Sequence, residues 1–250
     1  MNRRLVACAG LLAASIQFSG CTTADAVNMA LVAAPGVINA LTVSDEDVKS
    51  SSLKAMVQMD QKNKVPAQNN AYARRLANLT KDFVHEDGMN LNFKVYMADE
   101  VNAFATPDGS IRVYSGLMDL MTDDELRSVL GHEMGHVKLG HSLKEARTAY
   151  LSHAGAAAAS TAGGTLGQLV GALGESLVNA QYSQAQESEA DAFGVAFLKR
   201  HNFNLPAAES AMRKLAKLDG TDKGGKGSMF ASHPGSKQRA DRIHQLITQK

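Results

Sequence analysis

The sequence predicts an α+β fold that is mainly helical, with a small antiparallel or mixed β-sheet between two groups of helices. Short segments that alternate apolar and polar side chains are concentrated between residues 91 and 114. Amphipathic stretches with helical spacing lie before and after them. Because helices and strands are grouped along the chain and do not alternate, the order indicates α+β and not a parallel α/β fold.

The N-terminus has the composition of a secretory signal peptide. Arg3 and Arg4 precede an apolar run over residues 5–16, and small residues follow it. The run is short for a bilayer-spanning helix, which needs about 20 residues. A signal peptide is therefore predicted over residues 1–20.

The end of this segment resembles a bacterial lipobox. Ser19-Gly20-Cys21 has the expected small residues and cysteine, although Phe18 stands where an aliphatic residue is usual. We expect a lipid on Cys21, a tether over residues 21–44, and one domain over residues 45–250. Thr22 after the cysteine favours the outer membrane, facing the periplasm. A soluble secreted protein with a chance cysteine is the alternative.

Charge and cysteine content exclude several classes of function. The formal net charge of +1 gives no electrostatic reason to expect a nucleic-acid partner. Cys8 and Cys21 are the only cysteines, so the body of the chain has neither a disulfide nor a thiol for catalysis.

Two helices are predicted before the sheet. Ser44 and Asp47 can form a capping box at the start of the first helix, which runs toward Asn63. After a break at residues 66–70, a second amphipathic helix continues to Gly88. Three of its apolar side chains share one face: Leu76, Leu79 and Phe83.

Three strands are predicted next. In the first, polar side chains, among them that of Tyr96, alternate with four apolar ones: Leu91, Phe93, Val95 and Met97. Residues 101–106 and 111–114 suggest a strand pair joined by a turn at Pro107-Asp108-Gly109.

Two later segments are unusual in composition. Residues 148–174 contain no charged side chain and are rich in Ala and Gly. A packed or mobile hairpin over the functional site fits them better than a transmembrane helix, because bulky apolar residues are sparse. Residues 220–228 are predicted to form a flexible surface loop.

The segment His132-Glu133-Met134-Gly135-His136 fits the HExxH pattern of zinc hydrolases. Thr122 and Glu125 predict a capping box ahead of it, and Gly140 is a plausible helix end, so the motif lies inside a helix. Residues four apart share a helical face, and the two imidazoles can therefore bind one ion. Glu133 lies about 100° around the helix and can reach water beside that ion.

A third ligand must come from elsewhere in the chain. Leu139 and Ser142 stand where a metzincin needs Gly and His, which excludes that class and favours a gluzincin. Glu187 and Asp191 are spaced to share one helical face, so Glu187 is predicted as the third ligand and Asp191 as the residue that orients a histidine. Glu189 is the rival ligand, but its face differs and we expect a solvated charge.

Two histidines and one carboxylate suit zinc best, at one Zn²⁺ per chain, although other divalent ions could substitute. Zinc lowers the pKa of water toward about 7, and Glu133 would take the proton as water attacks a peptide carbonyl. A purely structural zinc site in a lipoprotein is a further alternative, but it would have no use for Glu133.

Together these motifs resemble the CAAX prenyl protease and HtpX family of zinc peptidases. HExxH is followed by ExxAD at Glu187 to Asp191, and the resemblance extends to a stretch around residues 102–117 and to Ser232-His233-Pro234. It covers the chain from about residue 45 to its end. Relatives often carry an arginine just before the ExxAD glutamate, whereas residues 179–186 contain none.

The resemblance implies further site residues. An extended substrate would lie along an edge strand formed by Asn102, Ala103, Phe104 and Ala105. His233 would either stabilise an oxyanion or occupy the fourth zinc position in a latent state. Arg239 would hold this region or a substrate carbonyl. The other histidines are expected to be surface or structural residues: His85, His141, His153, His201 and His244.

The predicted function is that of a zinc endopeptidase acting on unfolded or misassembled envelope proteins. A chaperone-like lipoprotein with a self-inhibited protease site is the alternative.

Overall fold

The structure is a computed structural model that describes residues 43–159, 166–218 and 229–248. The predicted signal peptide, Cys21 with most of the tether, and the predicted loop at residues 220–228 lie outside the described residues. Their assignments remain predictions from the sequence.

The described part of the chain is mostly helical, with one small sheet, which confirms the predicted α+β class. The first helices are α1 (Asp45–Lys62) and α2 (Ala71–Thr80), followed by a short 3-10 turn (Glu86–Gly88). The strands are β1 (Asn92–Tyr96), β2 (Ala103–Ala105) and β3 (Ser110–Tyr114). The remaining helices are α3 (Ser115–Leu120), α4 (Asp123–Lys138), α5 (His141–Ala159), α6 (Leu166–Val178), α7 (Gln184–Arg200), α8 (Pro206–Ala216), α9 (Met229–Ser232) and α10 (Ser236–Thr248).

The sheet is mixed, with the strand order β1-β3-β2. β1 runs parallel to β3, and β2 runs antiparallel to it. The hairpin predicted around Pro107-Asp108-Gly109 is confirmed. Gly109 has a φ of +85°, and an added Cβ would lie 2.0 Å from the carbonyl oxygen of Asn90, so only glycine fits this turn.

The first predicted helix is confirmed from its Ser44–Asp47 capping box to its last residue before Asn63. The predicted extent of the second helix is wrong, because it ends at Thr80 and not near Gly88. Phe83 lies beyond this end and still enters the core, where its ring meets that of Phe197 edge-on at 4.9 Å. An apolar residue in a turn can reach the same core as a residue on the helical face.

Tyr96 was predicted on the polar face of β1, but its side chain is completely buried. The reason is that α1 covers this second face of the sheet. The Tyr96 hydroxyl donates to Asp60 of α1 at 2.8 Å, and Arg112 of β3 makes a two-contact ion pair with the same carboxylate at 2.9 and 3.0 Å. Partial burial alone raises the pKa of Asp60, but Arg112 and Lys94 outweigh it, so the pKa lies below its ordinary value.

The main core lies between the other face of the sheet and the helices α4, α7, α8 and α10. A second, smaller core joins α1 to α5 and α6. Its buried residues are Val43, Val48, Ala55, Ala146, Leu173 and Leu177. The described parts of the uncharged segment thus form helices that pack on α1 and on each other, whereas a hairpin over the functional site stays a prediction. No helix in the described ranges is both long and apolar enough to cross a bilayer.

Candidate metal centre

Helix α4 carries the HExxH motif and begins with the predicted capping box. The Thr122 hydroxyl accepts from the Glu125 amide at 3.3 Å, and the Glu125 carboxylate accepts from the Thr122 amide at 2.8 Å. Glu125 also accepts from Lys214 and Ser210 of α8, each at 2.6 Å. Burial raises the pKa of Glu125, but these hydrogen bonds outweigh it and lower the pKa to about 2. The start of α4 is therefore fixed to α8.

Small residues bring α4 and α7 into close contact. An added Cβ at Gly135 would lie 3.1 Å from the Cα of Ala190, and one at Gly194 would lie 3.1 Å from the backbone nitrogen of His132. Larger side chains at these positions would separate the two helices. This crossing turns the HExxH face of α4 toward the ExxAD face of α7.

Four donor side chains meet at the crossing. One ligand atom from each of His132, His136, Glu187 and His233 lies within 4.8 Å of the others. The Nε2 atoms of His132 and His136 are 3.0 Å apart, and each lies 3.6 Å from an oxygen of Glu187. All four residues are buried. The structure thus brings together the three predicted ligands and the residue expected to approach them.

His132 is oriented from behind by a carboxylate. Its Nδ1 donates to Asp191 Oδ1 at 3.0 Å, which leaves Nε2 facing the cluster. Arg239 makes a two-contact pair with Asp191 at 2.6 and 2.9 Å. Burial alone raises the pKa of Asp191, but Arg239 and His132 hold the pKa well below its usual range. Asp191 therefore stays ionised and fixes the His132 tautomer.

Arg239 also contacts Glu187, at 2.5 Å from Nη1 to Oε2. The guanidinium is buried and is shared between two carboxylates. Of the two roles that the resemblance implies, the described contacts are those of a residue that holds this region together.

Glu133 is the most unusual group of the site. Its side chain is 0% exposed, and neither carboxylate oxygen has a hydrogen-bond partner among the described residues. Its nearest cationic group is His233, with 3.6 Å between Oε1 and Nε2. Burying a carboxylate that has no hydrogen bond is costly, and such groups mark sites where a ligand or a reaction supplies the missing partner.

His233 reaches the cluster from the short helix α9 and the residues after it. Its Nδ1 lies 2.9 Å from Glu187 Oε1, and the Met229 amide donates to the carbonyl of Val101 beside β2. Burial alone lowers the pKa of His233, but the negative charges of Glu187 and Glu133 outweigh it and raise the pKa. This position is compatible with both roles predicted for His233.

Tyr182 was not among the site residues predicted from the sequence. Its ring stacks on that of His136 at 3.8 Å and on that of His233 at 5.2 Å, and its amide donates to the carbonyl of Ser232. Burial raises the pKa of its phenol well above the ordinary value. Tyr182 therefore packs the two imidazoles from one side, although it belongs to no motif.

His141 was assigned to the surface or structural histidines, and Glu189 to solvated charges. The structure places His141 Nδ1 3.2 Å from His136 Nδ1, and His141 Nε2 2.9 Å from Glu189 Oε2. His141 is buried, whereas the Glu189 side chain is 62% exposed. Glu189 is therefore exposed to solvent, as predicted, but it also contacts His141, which in turn contacts His136.

The residues predicted to bind substrate lie at one edge of the sheet. Ala103, Phe104 and Ala105 form β2, and Asn102 precedes it and accepts from the Tyr114 amide at 3.0 Å. All four side chains are buried. Phe104 packs in a cluster with Met56 of α1, so α1 covers its face of the strand.

The donor set fits a divalent metal such as zinc. It supplies two imidazoles four residues apart, one carboxylate from a neighbouring helix and a further imidazole. Burial keeps the pKa of His136 well below its ordinary value, so this ring is neutral, the form that binds metals. The buried carboxylate of Glu133, which has no hydrogen bond among the described residues, is the observation that distinguishes this cluster from a structural site.

Comparison with known proteins agrees with this geometry. A model of peptidase family M48 matches residues 66–247. The chain is 42% identical to metalloprotease LoiP of Escherichia coli strain K12 over 235 residues, and 40% identical to metalloprotease YcaL of the same organism over 236 residues. Each alignment covers 92% of both chains.

A more distant match is a protease HtpX homolog of Bordetella petrii. It is 29% identical over an alignment 174 positions long, which covers 53% of this chain and 57% of the relative. The family resemblance predicted from the HExxH and ExxAD motifs is confirmed by these matches.

Proposed function

The chain belongs to peptidase family M48 and is a metalloendopeptidase, and we propose that it uses zinc to hydrolyse unfolded or misassembled proteins of the bacterial envelope. In this proposal His132, His136 and Glu187 hold the ion. The envelope setting is supported by the signal peptide and lipobox predicted at the N-terminus, which would anchor the chain to the outer membrane through Cys21.

The proposed mechanism depends on Glu133. Zinc held by the three ligands would supply Lewis-acid chemistry, polarising a peptide carbonyl and lowering the pKa of water. Glu133 has two buried carboxylate oxygens without a hydrogen bond among the described residues, so it can accept a proton from water. As the water oxygen bonds to the carbonyl carbon and the carbon–nitrogen bond breaks, the protonated oxygen of Glu133 would deliver that proton to the leaving nitrogen. The burial of this carboxylate without a hydrogen bond is the observation that carries the proposal.

The other residues position the reacting groups. Asp191 holds His132 through its Nδ1, and Arg239 neutralises part of the negative charge of Asp191 and Glu187. We propose that an extended substrate lies along β2. The support for this is that β2 is an edge strand, and that the carbonyl of Val101, two residues before it, accepts a hydrogen bond from Met229 in the segment that carries His233.

The test is digestion of casein by the purified chain, with bound zinc quantified in the same samples. Glu133→Gln should lose at least about 100-fold in cleavage rate, because a general base contributes on that scale. It should keep one zinc per chain. Glu46→Gln is the matched control, since Glu46 is an exposed carboxylate on α1. Cleavage by Glu133→Gln at the wild-type rate would refute the mechanism.

A chaperone-like protein with a self-inhibited site is the second candidate. It is favoured by the burial of the whole donor cluster and by His233, whose Nδ1 lies 3.3 Å from His132 Nε2, in reach of a fourth ligand position. The variant His233→Ala distinguishes a self-inhibited site from an active protease site. Faster casein cleavage by the variant would identify His233 as a latch, and slower cleavage would identify it as an oxyanion partner.

A further inference from the structure

The nitrogen of His136 that faces away from the donor cluster contacts a second histidine. His136 Nε2 belongs to the cluster, and its Nδ1 lies 3.2 Å from His141 Nδ1. His141 Nε2 in turn lies 2.9 Å from Glu189 Oε2. We propose that His141 and Glu189 are positioning residues that fix the tautomer and the ring orientation of His136 for metal binding. This inference rests on the proposed function in one respect, that the cluster binds zinc.

With the contacts from His136 to His141 and from His141 to Glu189, one arrangement of protons leaves His136 Nε2 free to bind a metal. A neutral His136 that presents a free Nε2 carries its proton on Nδ1, and that proton is donated to His141 Nδ1. A neutral His141 must then carry its own proton on Nε2, where it is donated to the Glu189 carboxylate. If His141 were protonated on Nδ1 instead, His136 would have to accept there and protonate Nε2, the atom that the metal needs.

Charge explains why a histidine stands between His136 and a carboxylate. Around the cluster, Glu133, Glu187 and Asp191 are already buried, with Arg239 as the cation shared by the last two. A further buried carboxylate behind His136 would have to be desolvated without a cation of its own. With His141 in between, the carboxylate of Glu189 lies at the surface, with 62% of its side chain exposed to water.

The path of the chain holds His141 in place. Gly140 has a φ of +73°, which ends α4 and redirects the chain into α5. The hydroxyl of Ser142 donates back to the carbonyl of His136 at 3.3 Å. His141 is therefore the first residue of α5, directly after a two-residue connection that this hydrogen bond spans, and its imidazole is placed by both helices.

Zinc release to a chromophoric chelator tests the proposal on the purified full chain. His141→Phe keeps an aromatic ring but offers no acceptor to His136, and Glu189→Ala removes the acceptor for His141. Both should release zinc about 10–100 times faster than the wild type. Glu189→Gln should stay within about threefold, because its amide oxygen still accepts a hydrogen bond. His153→Phe, a histidine on the same helix that is bonded to Ser176, is the matched control and should not change the rate.

The melting temperature of the metal-free proteins separates positioning from folding. Glu189 is an exposed residue, so Glu189→Ala should leave this temperature within about 2 °C of the wild type. Wild-type zinc release in both His141→Phe and Glu189→Ala would overturn the proposal. A wild type that holds zinc and cleaves no casein would refute the proposed function alone, while the release rates still decide this inference. A wild type without zinc would refute both.

Discussion

Replacing Gly135 by alanine tests whether the crossing of α4 and α7 determines the geometry of the metal centre. Gly135 lies between the two histidines of the motif, at a point where the backbones of the helices nearly touch. An added Cβ would lie 3.1 Å from the Cα of Ala190, 3.2 Å from its carbonyl oxygen and 3.2 Å from the Cβ of Phe193. None of these atoms is the mobile end of a side chain, so the helices themselves must separate.

The magnitude follows from these distances. Carbon atoms prefer separations of about 3.5–4.0 Å, so α4 and α7 must move apart by about 0.4 Å. Overpacking of this kind costs about 1–3 kcal/mol, and alanine regains about 1 kcal/mol of helix propensity over glycine. We expect a net loss of about 1 kcal/mol in the free energy of unfolding. Since metal–ligand distances tolerate only about 0.2 Å, zinc affinity should fall by about tenfold or more.

The assay combines thermal unfolding with zinc titration. A loss of 1 kcal/mol lowers the melting temperature by about 2–4 °C in a domain of this size. Gly171→Ala is the matched control, because Gly171 also lies inside a helix but its nearest neighbours are flexible side-chain ends at 3.9 Å and 4.0 Å. That variant should gain about 0.5–1 kcal/mol. If Gly135→Ala gained stability like Gly171→Ala and bound zinc normally, the close crossing would not be what sets the ligand geometry.

Three further outcomes are expected. Asp60→Asn should lower the free energy of unfolding by about 3 kcal/mol in a denaturant titration, because it leaves the buried Arg112 without its ion pair. A loss below about 1 kcal/mol would contradict this. Glu125→Gln should cost about 1–3 kcal/mol at pH 7. The pKa of Glu125 is depressed in the folded state, so its stabilisation is present above pH 4.5 and is lost as the pH falls toward 2. The difference in melting temperature between the variant and the wild type should therefore shrink across that window. A difference that stays constant would contradict the assignment. Chelation should lower the melting temperature, and zinc at about 100 times its dissociation constant should restore about 2.7 kcal/mol; a melting temperature that ignores both would mean that the cluster binds no metal.

The parts of the fold that the sequence predicted correctly follow local rules. The capping boxes at Ser44 and Thr122 and the hairpin at Gly109 depend on residues within three or four positions of each other. The pairing of HExxH with Glu187 is more distant, but each half is a helical repeat that can be recognised separately. Chemistry alone then requires the two halves to meet, because a zinc site with two histidines needs a third ligand.

Errors arose where a distant element decides the environment. Tyr96 alternates with apolar residues along β1 and would face water if the sheet had no helix on that face. It is buried because α1 packs on that face through Asp60 and Met56. Tyr182 is similar, since nothing in the chain around it indicates that its ring would stack on His136 and His233. Such contacts are properties of the packing between elements and leave no periodic pattern in the sequence.

The helical spacing that identified the HExxH motif also led to the wrong position for His141, which contacts one of its histidines. On a continuous helix a residue five positions after His136 lies about 140° around the axis, so helical spacing places its side chain away from the metal. The helix stops at Lys138, however, and Gly140 turns the chain so that the His141 imidazole returns to within 3.2 Å of His136. A glycine directly before a histidine, at the end of an HExxH helix, is therefore a local pattern from which the return of the ring could have been predicted. The same reasoning makes Gly140 as important as His141 for the orientation of His136, since without its positive φ the two rings could not meet.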